Sequence, residues 1–137
     1  MIFIDTTFWF AHIVETDDMH QNALDEEDDI KSGRYGRQVT SDYVLDELTT
    51  LLRREIETVH EKILGILAAP DIDVVFIGPA LFSEGLKILR EDDRRKFSMT
   101  DATSIAVMLS KKIDTIASFD DHFTRYVNVI PRKTFKA

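Results

Sequence analysis

Three features of the sequence predict a three-layer α/β/α fold, with a central parallel sheet of four to five strands between helices. Short apolar runs alternate with amphipathic helices along the whole chain, the connections are of ordinary length, and the first run, Ile2-Phe3-Ile4, is apolar on both faces. Two-faced strands belong in the middle of parallel sheets, and a strand–helix alternation builds such a sheet through βαβ units. The first run ends in Asp5. It therefore delivers a carboxylate to its carboxyl end, where open α/β sheets keep their ligand crevice. An Asp before a helix is just as commonly an N-cap, so position alone leaves both roles open.

The remaining elements follow from periodicity and punctuation. Thr7 to Val14 reads as a short helix whose Phe8, Trp9, Phe10 and Ile13 face the core; no Lys or Arg is interleaved with them to make a base-stacking platform. Asp17 or Asp18 caps a second helix to about Lys31, and its acidic run, Asp25 to Asp29, reads as a solvated face. Gly33 and Gly36 mark a loop before a strand at Val39 to Ser41. Thr40-Ser41-Asp42 supplies cap chemistry for a helix through Arg54, and a further helix spans Glu55 to Ala68 until Pro70 stops it. Ile72 to Ile77 is the third strand, and Gly78-Pro79 opens a helix to about Glu91. A charged stretch leads to a helix from Ala102 to Lys111 with Asp101 in its first turn, then strands at Ile113 to Ser118 and Val127 to Ile130. The expectation is a single domain, 1–137.

Composition narrows the function. A chain of 137 residues buries roughly 65 to 70% of its unfolded surface, enough to fold without staples. The absence of cysteine removes thiolate zinc sites, disulfides and Cys nucleophiles together. No apolar run approaches the ~20 residues of a membrane span, and no basic lead precedes the first run, so a soluble, cytoplasmic protein is expected. The net charge of −8 argues against a generic nucleic-acid binder, which would carry a basic excess. A polyanionic ligand then requires metal ions to reverse the local field.

Four acids occupy positions that a parallel sheet can gather at one edge: Asp5 and Asp120 after strands, Asp101 at a helix start, and Glu47 on a helix. Val44, Leu48 and Leu51 form that helix's inward stripe, and Glu47 borders it, whereas Asp46 points to solvent. Massed carboxylates raise each other's pKa unless cations occupy the site, so hard divalent ions are the economical explanation. Two such ions about 4 Å apart suit hydrolysis of a phosphodiester. Thr6, Ser98, Thr100 and Ser118 flank the acids and can orient them or bound water. Positive charge for placing a nucleic acid comes from Arg53, Arg54, Arg94, Arg95 and Lys96. His122, next to Phe123, reads as a packing residue at the start of a short helix, and His12, His20 and His60 carry no assigned chemistry.

The segments Phe3-Ile4-Asp5-Thr6, Thr40 through Leu52 around Glu47, Phe97-Ser98-Met99-Thr100-Asp101-Ala102, and Ala117-Ser118-Phe119-Asp120-Asp121-His122-Phe123 resemble, in order and spacing, the four motifs of the PIN-domain family. The resemblance implies a parallel sheet flanked by helices, an acidic Mg2+ or Mn2+ pocket, and metal-dependent endoribonuclease activity. It carries over Asp5, Glu47, Asp101 and Asp120 as ligands of metal or metal-bound water, and leaves out Asp121, where the family varies. Among PIN proteins a chain of this size looks like the VapC-type toxins, which cleave RNA and are silenced by a cognate antitoxin, although some PIN proteins are solitary. A homodimer is expected from Leu-rich helices in excess of a minimal core. Two rivals remain: a PIN fold that binds RNA or protein without cutting, and a phosphotransfer receiver-like domain. The receiver reading ranks last because Lys111 and Lys112 precede the fourth strand and cannot serve its chemistry.

Overall fold

A computed structural model describes residues 1–132. Five parallel strands form one sheet in the order β3-β2-β1-β4-β5: β1 Ile2–Ile4, β2 Gln38–Ser41, β3 Ile72–Val75, β4 Thr115–Ala117 and β5 Asn128–Ile130. The helices are α1 Thr6–Ile13, α2 His20–Lys31, α3 Asp42–Leu52, α4 Val59–Ala68, α5 Pro79–Glu91 and α6 Met99–Lys111, with one 3₁₀ turn at Asp121–Phe123. β1 lies centrally and is buried throughout, as its two-faced apolarity requires. From β1 the chain steps outward through β2 to β3, then returns across the sheet to β4 and β5. Right-handed crossovers therefore put the helices before and after β3 on opposite faces, giving the three layers. Among the described residues no helix is long and apolar enough to cross a membrane.

The core is built from β1, Val39 and Ile116 of neighbouring strands, Phe8 and Trp9 of α1, Val44, Leu48 and Leu52 of α3, and Ile105 and Met108 of α6. Phe8 and Trp9 are buried as expected, and the Trp9 indole N–H donates to Thr40 Oγ1 at 3.3 Å. Within the acidic run of α2, Glu27 pairs with Lys31 and His12, and Asp29 with Arg34.

Several boundaries differ from expectation. α3 ends at Leu52 and α4 begins only at Val59, because Glu55 and Ile56 turn their amides back to the Leu52 carbonyl and close the helix. β3 stops at Val75, since the Ile77 amide leaves the sheet to donate to Asp42 Oδ1 at 2.9 Å. α2 begins at His20, because Asp17 Oδ2 accepts from the Met19 amide and holds a turn ahead of the helix. α6 starts earlier than expected, at Met99: Ser98 is its N-cap and closes a capping box with Asp101.

Candidate functional site

The strand order reverses direction between β1 and β4, the topological switch point at which α/β sheets open a ligand crevice. The β1–β4 register pairs Phe3 with Ile116 and Ile4 with Ala117, so the next step along both strands sets Asp5 beside Ser118 at the mouth of that crevice. Asp5 is the N-cap of α1 by position, yet its side chain makes no capping hydrogen bond. Its Oδ2 instead accepts from Ser118 Oγ at 2.8 Å and from Thr7 Oγ1 at 2.9 Å. Thr7 Oγ1 also accepts from the Phe119 amide at 3.0 Å, and Ser118 Oγ from the Asp120 amide at 3.0 Å. Two hydroxyls thus stitch the end of β1 to the turn after β4.

Asp5 is 3% exposed, and burial above all, helped by the nearby charge of Asp101, pushes its carboxyl up to about 6, against the opposing hydrogen bonds of Ser118 and Thr7. Glu47, half-buried on α3, is also pushed up, first by burial and then by Asp101, Asp120 and Asp46. The Thr6 hydroxyl stands near enough to Glu47 to favour its anion, but it is buried and makes no well-formed hydrogen bond among the described residues. The charge of Asp101 thus acts on both Asp5 and Glu47, and that of Asp120 on Glu47.

Asp101 Oδ2 accepts from the Ser98 amide at 2.9 Å and lies 3.2 Å from His122 Nδ1. The same His122 nitrogen is 3.2 Å from Asp120 Oδ1, which also accepts from the His122 amide at 3.1 Å. The packing role expected of His122 therefore needs correction. Its neighbour Phe123 is the fully buried residue, while the His122 ring, tilted over Phe97, bridges two acids. Among the described residues it is the only His, Lys or Arg side chain within ion-pair distance of the four acids.

The other predicted residues separate. Ser98 and Ser118 hold Asp101 and Asp5, as above. Thr100 contributes its carbonyl, which accepts from Ser104 and Thr103, and among the described residues its hydroxyl bonds to none of the acids. Thr7, which sequence reasoning passed over for Thr6, makes the direct contact to Asp5. Arg94 is taken up by Asp92, through Nε at 3.0 Å and Nη2 at 2.6 Å, and by the His122 carbonyl at 2.9 Å, which removes it from the basic groups free to meet a ligand. Arg95 and Lys96 are exposed just before the start of α6. Arg53 and Arg54 are exposed just past the end of α3, roughly 9 Å along its axis from Glu47.

Donor chemistry fits a hard divalent cation: all four groups offer oxygen, and Asp5 is buried without a cation of its own. Among the described residues no three His, Asp or Glu side chains are grouped tightly enough to hold one ion. An ion here would be met by one or two carboxylates and completed by water, the usual arrangement for magnesium.

This architecture and acidic edge define a PIN domain: the sequence matches that family over residues 2–128, and the chain belongs to it. It is similar to the 23S rRNA-specific endonuclease VapC20 of Mycobacterium tuberculosis, in strains H37Rv and CDC 1551, at 32% identity over 136 residues, covering 96% of this chain and 99% of the relative. The crystal structure of Mycobacterium tuberculosis VapC20, described as a Sarcin-Ricin loop cleaving toxin, superposes with a TM-score of 0.81 at 31% identity, covering 91% of this chain and 94% of that one.

Proposed function

We propose that this chain is a single PIN domain that acts as a divalent-metal-dependent endoribonuclease on a structured RNA, as the toxin of a toxin–antitoxin pair. The observation that carries this reading is Asp5: a buried carboxylate at the switch point, raised to about 6, beside a second acid and without a basic partner. A charge held so unfavourably is expected where a cation belongs. The relative's description as a 23S rRNA-specific endonuclease supports RNA, and ribosomal RNA in particular, as the substrate. A ribosomal RNA substrate supports a cytoplasmic site of action.

In this reading Asp5, Glu47, Asp101 and Asp120 hold Mg2+ or Mn2+ directly or through water. Bound there, the ion supplies charge stabilisation for the phosphate and lowers the pKa of a coordinated water. The chain's own residues set the stage. Ser118 and Thr7 fix the Asp5 carboxylate, the Ser98 amide fixes Asp101, and His122 holds Asp101 and Asp120 near one another. Arg95 and Lys96, beside the start of α6, are the basic groups placed to meet the RNA backbone, with Arg53 and Arg54 available to a longer substrate. Exposed Leu64 and Leu67 on α4, Phe76 after β3, and Phe82 and Leu86 on α5 support a homodimer through the β3 edge.

Incubation of a structured ribosomal RNA fragment with the protein tests the reading. Cleavage is expected with Mg2+, and none with EDTA or with Asp101→Asn. Cutting that ignores both changes excludes the mechanism, and calorimetric Mg2+ binding that survives Asp5→Asn excludes the assignment of Asp5.

A further inference from the structure

Beside the acids, at the carboxyl ends of β4 and β5, lies a cleft of about 720 Å³. Ser118 and Asp120 form its inner wall, and Met19, Asn22, Phe119, Thr124, Pro131 and Arg132 line it further out, together with Val129 and a second acid, Asp121. Its size is that of a small-ligand site, roughly 300–1,000 Å³. Of these outer residues only Phe119 supports the acids, and it does so through its backbone amide on Thr7 Oγ1 rather than its ring.

We propose that this cleft receives the unpaired base of a nucleotide next to the scissile phosphate and so sets which RNA sequence is cut; the proposal rests on the ribonuclease reading. Three observations converge. First, Asp120 belongs both to the acidic edge and to the cleft wall, so a strand whose phosphate meets the acids has the cleft as its neighbouring space. Second, Phe119 is preorganised: its ring stacks on Phe8 at 5.7 Å and 7°, and its amide is tied to Thr7 Oγ1. A half-buried aromatic held rigidly at a cleft wall is what a splayed-out base stacks against. Third, beside the acids Asp120 and Asp121 the polar lining includes groups that read and anchor a nucleotide. Asn22, exposed on α2, offers an amide able to donate to and accept from a base edge, and Arg132 offers a cation for the adjoining phosphate. The apolar side chains of Met19 and Pro131 leave the rest of the lining suited to a flat heterocycle.

The test uses the full chain with Mg2+ and an RNA oligonucleotide spanning its cut site, made abasic at each position flanking the cut in turn. One abasic position is expected to raise KM about tenfold with kcat little changed, the scale of one lost stacked base. Asn22→Ala and Phe119→Leu are expected to raise KM for the intact RNA and to stop distinguishing that abasic substrate. Asn22 is exposed, and Leu preserves apolar contact with Phe8, so circular dichroism of both variants should match the parent. If the parent cuts the RNA but the abasic scan is flat, or Asn22→Ala and Phe119→Leu both keep the parent's abasic penalty, the subsite is overturned and the ribonuclease reading stands. If the parent cuts no RNA under any condition, the ribonuclease reading falls and the subsite with it.

Discussion

At neutral pH the Asp5 carboxylate is charged where water is excluded, with Asp101 close enough to repel it. A carboxyl moved from 3.8 to about 6 disfavours the folded protein by about 3 kcal/mol above pH 6. The folded state binds the proton more tightly than the unfolded one, so this penalty is absent below about pH 4 and grows as pH rises to 6. Asp5→Asn keeps an acceptor for Ser118 and Thr7 and removes the charge. Thermal denaturation in EDTA is therefore expected to show the variant about 1–3 kcal/mol more stable at pH 7, with the gain shrinking toward zero at pH 4, while Mg2+-dependent cleavage is lost. A gain independent of pH would contradict the assigned origin. Asp5 was legible in the sequence because it follows a two-faced strand directly. His122 was not, since its partner Asp101 lies 21 residues away in sequence and only folding brings the two to 3.2 Å. Arg94 was misleading for the opposite reason. A basic run reads as free charge, and the partner that absorbs it, Asp92, looked like one more surface acid.

The elements before and after β4 are held to each other by that pair. The Asp92 side chain is fully buried at the end of α5, and hydrogen bonds from Arg94, followed by one from Tyr126 Oη at 2.7 Å, hold its carboxyl well below the usual carboxylate range despite burial. Arg94 carries the connection onward to the His122 carbonyl, fixing the turn that presents Asp120. Arg94→Ala removes the guanidinium fork and leaves Asp92 the Tyr126 hydroxyl, the residue-94 amide and Arg125 at 3.8 Å, so it is expected to lower unfolding free energy by about 2–3 kcal/mol in urea titrations. Arg94→Lys should restore only part, because an ammonium cannot reproduce the fork. The sign follows from the depressed value: the pair's contribution is complete above pH 4 and is lost as pH falls through the folded pKa, so the parent and Arg94→Ala should converge in acid. α5 and α6 pack closely through Gly85, where an added Cβ would meet Thr103 Cγ2 at 2.8 Å and Met99 Cε at 3.2 Å. Thr103 is β-branched and yields little, so Gly85→Ala should lose about 1 kcal/mol net, overpacking outweighing the helix propensity gained. A stabilised variant in the same titration would mean that the helices can separate. β1 and β3 were legible because each is a compact, mostly apolar run before a helix. The gap between α3 and α4 was not, because Arg53 to Thr58 contains neither Gly nor Pro and Ile56 sustains the helical pattern. What ends α3 is hydrogen bonding back to Leu52, which periodicity does not encode.

For the whole molecule, the distribution of exposed apolar side chains decides how the chain presents itself to a second copy. Leu64, Leu67, Phe76, Phe82 and Leu86 all lie on the elements around β3, an edge strand, and Phe76 is 68% exposed. They flank the edge strand from both of its faces, so a partner seated along this edge would cover them from either side. A stable pair would have to bury roughly 1,200–2,000 Å² in all, so the polar rim of this edge must be covered together with these side chains. A two-fold axis at the β3 edge would cover this face and leave the carboxyl edge of β1 and β4, two strands further in, open to RNA. The net charge of −8 opposes pairing through long-range repulsion, so the association should tighten as salt is raised, unlike RNA binding, which should weaken. Light scattering behind size exclusion is expected to give twice 15.8 kDa for the parent, and 15.8 kDa for Phe82→Glu combined with Leu86→Glu. A parent that elutes at 15.8 kDa at micromolar concentration and high salt excludes a self-associating β3 edge.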